Sequence, residues 1–272
     1  MSFNRKIQTI QKRSDSLLCV GLDTDAAKLP LHLRSKKNGI LEFNKRIIES
    51  TKDLVCAYKI NFAFYEVLGK EGWTIIEKTL ALIPSAVLTI ADAKRGDIGN
   101  TSSQYARAIF NEMGFDSVTV SPYMGIDSVQ PFLEQKDKGV FLLALTSNKG
   151  AFDFQYRKSG KKRLFEEVVT TAQKWTSHNN LGFVVGATKS TDIRSVRKLA
   201  PDAPFLVLGI GAQGGSVEEV VKYGCTSNGS GILINASRSI LYASSEKDFA
   251  GAARSEALKL KNEINFFRHT FF

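Results

Sequence analysis

No apolar run in this 272-residue chain approaches the length of a membrane span, which excludes a transmembrane helix and argues against a membrane partner. Met1 to Ser14 is polar and basic and lacks the apolar core of a signal peptide, which predicts a cytoplasmic protein that is not exported. Cysteine is scarce. Cys19, Cys56 and Cys225 stand far apart among apolar or small neighbours, with neither disulfide nor metal-ligand spacing, and are expected as buried free thiols in a reducing compartment. His32, His178 and His269 are the only histidines, and none stands at ligand spacing from a cysteine or carboxylate, so no metal is expected. There is no low-complexity tract or linker, and residues 1–272 read as one domain.

What is there supports a large core: 43% of residues are hydrophobic. The net charge of +10 invites a nucleic-acid reading, but the basic residues are scattered, with short clusters only at Lys36-Lys37 and Lys161-Lys162-Arg163. A solvated basic surface is the better reading, part of which would attract an anionic small substrate. No nucleic-acid partner is expected. An RNA-binding protein would bind nucleic acid with steep salt dependence and show no turnover.

Apolar runs alternate with segments of helical periodicity along the whole chain. After an amphipathic lead-in helix over residues 1–14 come short apolar runs at Leu17–Asp23, Leu54–Asn61, Ala86–Asp92, Ser117–Val120, Val140–Leu145, Leu181–Gly186, Pro204–Gly209 and Gly231–Ile234. Helical patterns follow them at Ile40–Thr51, Tyr65–Leu82, Thr101–Met113, Asp127–Gln135, Leu164–Trp175, Thr191–Leu199 and Val217–Tyr223. A last helix is expected from about Lys247 to Asn265, with an aromatic tail to residue 272, and Lys149 to Lys162 reads as a polar loop. Eight strand-then-helix units with polar residues at the strand ends predict a (β/α)8 barrel, a TIM barrel, rather than an open doubly wound sheet. Catalytic groups are then expected at the C-terminal strand ends.

The third strand carries the densest chemistry: Asp92-Ala93-Lys94-Arg95-Gly96-Asp97-Ile98-Gly99-Asn100-Thr101. Residues two apart on a strand share a face, which puts Asp92 beside Lys94. Gly96 then breaks the strand and Asp97 returns a second carboxylate. Two acids around one ammonium would repel a further anion placed beside them. At the seventh strand end, Gly209-Ile210-Gly211-Ala212-Gln213-Gly214-Gly215 lets backbone N–H groups approach a phosphate, with the positive end of the following helix behind them. Ser237-Arg238, after the eighth, supplies a guanidinium suited to a phosphate dianion.

The run from Asp92 to Thr101 resembles the Asp-x-Lys-x-x-Asp-Ile-x-x-Thr motif of the orotidine 5′-phosphate decarboxylase family, the last enzymes of de novo UMP synthesis. The likeness extends from Asp23 to Arg238. Ala57-Tyr58-Lys59-Ile60-Asn61-Phe62-Ala63-Phe64-Tyr65-Glu66 is similar to the second-strand motif of one subgroup, and the longer stretches at Lys28–Lys37 and Lys149–Arg163 match its longer bacterial and protozoal branch. The resemblance implies cofactor-independent decarboxylation of orotidine 5′-monophosphate in a homodimer with shared active sites. Lys94 would be the proton donor, with Asp92, Asp97 and Lys59 completing a Lys-Asp-Lys-Asp array. It implies ribose contacts from Asp23, substrate contacts from Asn61, Ile98, Thr101 and Ser237, a pyrimidine contact from Ser147, and a phosphate grip from Gln213 and Arg238. In many members Glu stands at the position of Leu145 and an apolar residue at that of Thr146, so Ser147 and Thr146 both remain open for the ring contact. Asp97, Ile98 and Thr101 are expected to reach the partner's site. A related barrel of the hexulose-phosphate synthase type would share Asp-x-Lys and a phosphate loop but depend on Mg²⁺.

Overall fold

The computed structural model describes the chain from Met1 to Phe272 apart from Ser177, Thr188 and residues 211–214. Eight parallel strands close into a barrel: β1 (Leu18–Gly21), β2 (Ala57–Asn61), β3 (Leu88–Arg95), β4 (Ser117–Val120), β5 (Gly139–Leu145), β6 (Leu181–Gly186), β7 (Phe205–Leu208) and β8 (Ile232–Ala236). Each pairs with its sequence neighbours, and β1 pairs with β8 at Leu18↔Ile234 to seal the ring. Helices cover the outside, so both faces of every strand are buried, which is why the strands read as continuous apolar runs rather than alternating ones.

The inward face is apolar at the base and polar at the mouth. Cys19, Ala57, Leu88, Ile90, Phe141, Val184, Leu206 and Leu233 form one buried cluster with Phe3, Ile7 and Ile10 of the lead-in helix Phe3–Ser14, which plugs the base. Phe3 lies edge-on to Phe141. Gly139 must lack a side chain there, since a Cβ would sit 2.1 Å from the Phe3 ring. Gln11 ties the plug to β8 by donating to the Ile232 carbonyl and accepting from Gly231 N–H. The two-residue period then carries each inward row up to the mouth, from Ala57 to Lys59, from Ile90 to Asp92 and from Leu233 to Asn235.

Several expected elements differ in detail. The helical pattern over Tyr65–Leu82 is two helices, Ala63–Glu66 and Lys70–Leu82, because Gly69 adopts φ +59 between them. The Lys149–Lys162 stretch contains the helix Ala151–Phe154 and a small hairpin pairing Lys158–Ser159 with Lys162–Arg163. The last helix runs Phe249–Phe271 and absorbs the aromatic tail. Phe267 and Phe271 pack against the core, while Phe266 and Phe272 stay exposed. All three cysteines are free and buried. Among the described residues no helix is long and apolar enough to cross a membrane.

Candidate active site

At the mouth, four charged groups from three strands form a chain. Lys59 Nζ lies 3.0 Å from Asp23 Oδ1, just beyond β1, and 3.0 Å from Asp92 Oδ2 on β3. Asp92 uses its other oxygen, Oδ1, to accept from Lys94 Nζ at 2.7 Å. Lys59 is 2% exposed and Asp92 4%, whereas the Lys94 side chain is 46% exposed, so the array ends in an ammonium that reaches open space. Burial alone would push the Lys59 ammonium down, but Asp23 and Asp92 outweigh it and hold it above the ordinary lysine value. Burial would likewise raise the Asp92 carboxyl, yet Lys59 and Lys94 pull it down to about 2.

Asp23 is held from both sides. Tyr65 donates to the Leu22 carbonyl at 2.8 Å, and Tyr242 donates to the Asp23 carbonyl while accepting from Asp25 N–H. Lys94 is not placed by regular strand alternation. Its φ is +47, in the left-handed region, and the β3–β4 register shifts between Ala91 and Arg95.

The array opens onto a cavity of about 220 Å³ whose wall includes Asp23, Lys59, Asn61, Asp92 and Lys94 together with Ser147, Ser237 and Arg238. Asn61 caps its own turn by accepting from Ala63 N–H. Ser147 reaches the wall, while the Thr146 hydroxyl is engaged with Gln155 and Asn148. Arg238 is exposed at the start of a short helix, Arg238–Leu241. Gln213 lies outside the described residues. Ser216 caps the helix Val217–Gly224 by accepting from Glu219 N–H. Asp97, Ile98 and Thr101 stand away from this cavity: Asp97 accepts from Ile98 N–H, Ile98 is 58% exposed and Thr101 is exposed.

Two wall or support residues escaped the sequence reading. Asn235 faces the cavity from β8 and donates to Ser237 Oγ. Thr119 on β4 donates to Asp92 Oδ1 at 3.1 Å and accepts from Lys94 N–H at 2.9 Å. The available signal was a second hydroxyl, two residues after Ser117 and so on the same face of β4, nearer its C-terminal end. Among the described residues no group of three or more His, Cys, Asp or Glu side chains could hold a metal ion.

A closed parallel barrel with its charged groups at the C-terminal strand ends has the architecture of a TIM-barrel enzyme. Residues 16–253 match the Orotidine 5'-phosphate decarboxylase / HUMPS family, and the chain belongs to that family. It is 52% identical over 255 residues to an orotidine 5'-phosphate decarboxylase of Christiangramia forsetii, covering 93% of each chain. It is 49% identical to one of Dehalococcoides mccartyi over 275 residues, covering both chains fully. The structure of Leishmania donovani OMP decarboxylase superposes with a TM-score of 0.87 at 40% identity, covering 99% of this chain and 100% of that one.

Proposed function

We propose that this chain decarboxylates orotidine 5′-monophosphate to UMP, the last step of de novo pyrimidine biosynthesis, without a cofactor. The observation that carries the reading is the Asp23–Lys59–Asp92–Lys94 chain ending in an exposed ammonium at the cavity. Family membership and close relatives named for this activity support it.

In this reading the C6–carboxylate bond breaks and CO₂ leaves with its electron pair left on C6, where no adjacent group delocalises it. The Lys94 ammonium stabilises that charge and then gives its proton to C6, forming UMP; the neutral amine regains a proton from water. Asp92 fixes Lys94 and, with Asp97, disfavours the substrate carboxylate nearby. Asp23 and Asn61 take the ribose side, Ser147 the ring, and Gln213, Ser237 and Arg238 the phosphate. Enzymes lower barriers by about 8–23 kcal/mol, and an unactivated decarboxylation needs the upper end of that range. One ion pair cannot supply this, so binding energy from the remote phosphate must orient the array. Both Asp92 oxygens already accept from ammonium groups, which supports a site that needs no divalent cation to balance its charge.

The reading extends to one 272-residue domain working in the cytoplasm as a homodimer, with Asp97, Ile98 and Thr101 completing the partner's cavity. Supporting this, Ile98, Tyr123, Met124 and Ile126 are exposed apolar side chains beyond the C-terminal ends of β3 and β4, and Met124 lies against Gly96. The test is the loss of orotidine monophosphate absorbance with and without EDTA. Turnover unchanged by EDTA is expected; no turnover, or turnover abolished by EDTA, would overturn the reading.

A further inference from the structure

Between β3 and β4 the register runs Ala91↔Val118 and then Arg95↔Val120, so Asp92, Ala93 and Lys94 together face the single residue Thr119. Such a bulge removes backbone groups from the ladder and re-aims side chains. It leaves Lys94 with φ +47, a conformation that a residue carrying a Cβ adopts only when its surroundings impose it. Thr119, 1% exposed, occupies the gap. Its Oγ1 accepts from Lys94 N–H at 2.9 Å and sends its own proton to Asp92 Oδ1 at 3.1 Å, the oxygen that also holds Lys94 Nζ at 2.7 Å. One hydroxyl therefore grips both the backbone of Lys94 and the carboxylate that aims its side chain. The ladder resumes beyond it, where Ser121 N–H donates to the Arg95 carbonyl.

We propose that Thr119 is a positioning residue: its hydroxyl holds the Lys94 backbone in the left-handed turn and fixes Asp92, so that the ammonium meets the reacting carbon. This rests on the decarboxylase reading of the site. Thr119 touches no substrate and acts through Lys94 and Asp92.

Thr119→Val keeps the shape and removes the hydroxyl; Thr119→Ser keeps the hydroxyl. In the full chain, Thr119→Val is expected to lower kcat by about 10- to 100-fold, the scale of an ångström-level misplacement. KM and UMP affinity should stay within about threefold, because the phosphate and ribose contacts lie elsewhere. Thr119→Ser should restore most of kcat. Hydrogen exchange supplies a readout free of turnover: the Lys94 amide should lose protection in Thr119→Val and keep it in Thr119→Ser. If the valine protein fails to fold, Thr119→Ala takes its place in both measurements. Wild-type kcat in the hydroxyl-free variant, or equal impairment of the valine and serine variants, would overturn the proposal. A wild-type protein that does not turn over orotidine monophosphate would instead overturn the activity, and the Lys94 exchange pattern would still decide whether Thr119 holds that backbone.

Discussion

Lys59 Nζ and Asp92 Oδ2 form an ion pair of 3.0 Å in which neither side chain is more than 4% exposed. The pair carries a pH signature. Lys59 and Lys94 hold Asp92 at about 2 against the opposing effect of burial, whereas an unfolded aspartate titrates near about 3.9. The folded value is the lower one, so the stabilisation is fully present above about pH 4 and is lost as pH falls through about 2. The difference corresponds to roughly 2–3 kcal/mol. Unfolding free energies measured between pH 5 and 2 should therefore fall less steeply in Asp92→Asn than in the wild type, even though the variant starts less stable. Parallel curves would show that Asp92 is not the titrating group.

Lys94→Ala should lower kcat by at least about 10³-fold, because both the proton and the neighbouring positive charge are lost. The protein should remain folded and retain weak UMP binding, since the lysine side chain is nearly half exposed and fills no core position. Near-normal turnover would remove Lys94 from the role of proton donor. Single-turnover rates and UMP titration measure the two halves of this expectation.

Arg238→Ala should raise KM for orotidine monophosphate by about 10- to 100-fold, the worth of a charge-assisted contact. With orotidine, which lacks the phosphate, the same change should have almost no effect. Equal losses on the two substrates would make Arg238 structural and move the phosphate site elsewhere.

A mixture of Lys94→Ala and Asp97→Ala chains tests the shared site. If Asp97 acts across the dimer, a heterodimer has one site with both lesions and one with neither, and activity returns on subunit exchange. If Asp97 acts within its own chain, every site keeps a lesion. A silent mixture in which exchange has been demonstrated would exclude sharing.

Much of the barrel was legible because its strands are buried on both faces: β4 and β6 match the apolar runs Ser117–Val120 and Leu181–Gly186 residue for residue. The breaks were less visible. Tyr65–Leu82 carries one helical pattern, and only the backbone of Gly69 reveals the interruption. The pairing of Asp92 with Lys94 was expected from strand alternation, but the contact is made through a bulge and a left-handed lysine. Period counting cannot see such a bulge, because it is defined by the neighbouring strand. Thr119 was missed for the same reason: its role exists only where β4 meets the irregular part of β3.

The seam between β1 and β8 gives the site a place in the folding sequence. Cys19 and Asn235, 216 positions apart, meet there at 3.7 Å, and the Gly21 backbone lies directly against the Ser237 side chain. Contacts so distant along the chain bear the largest loop-closure entropy and favour late formation. The lysine–carboxylate array is built on β1 to β3, whereas Ser237 and Arg238 follow β8. A growing chain thus presents the residues of its charged array long before Ser237 and Arg238, and the lining of the cavity is complete only once the ring is shut.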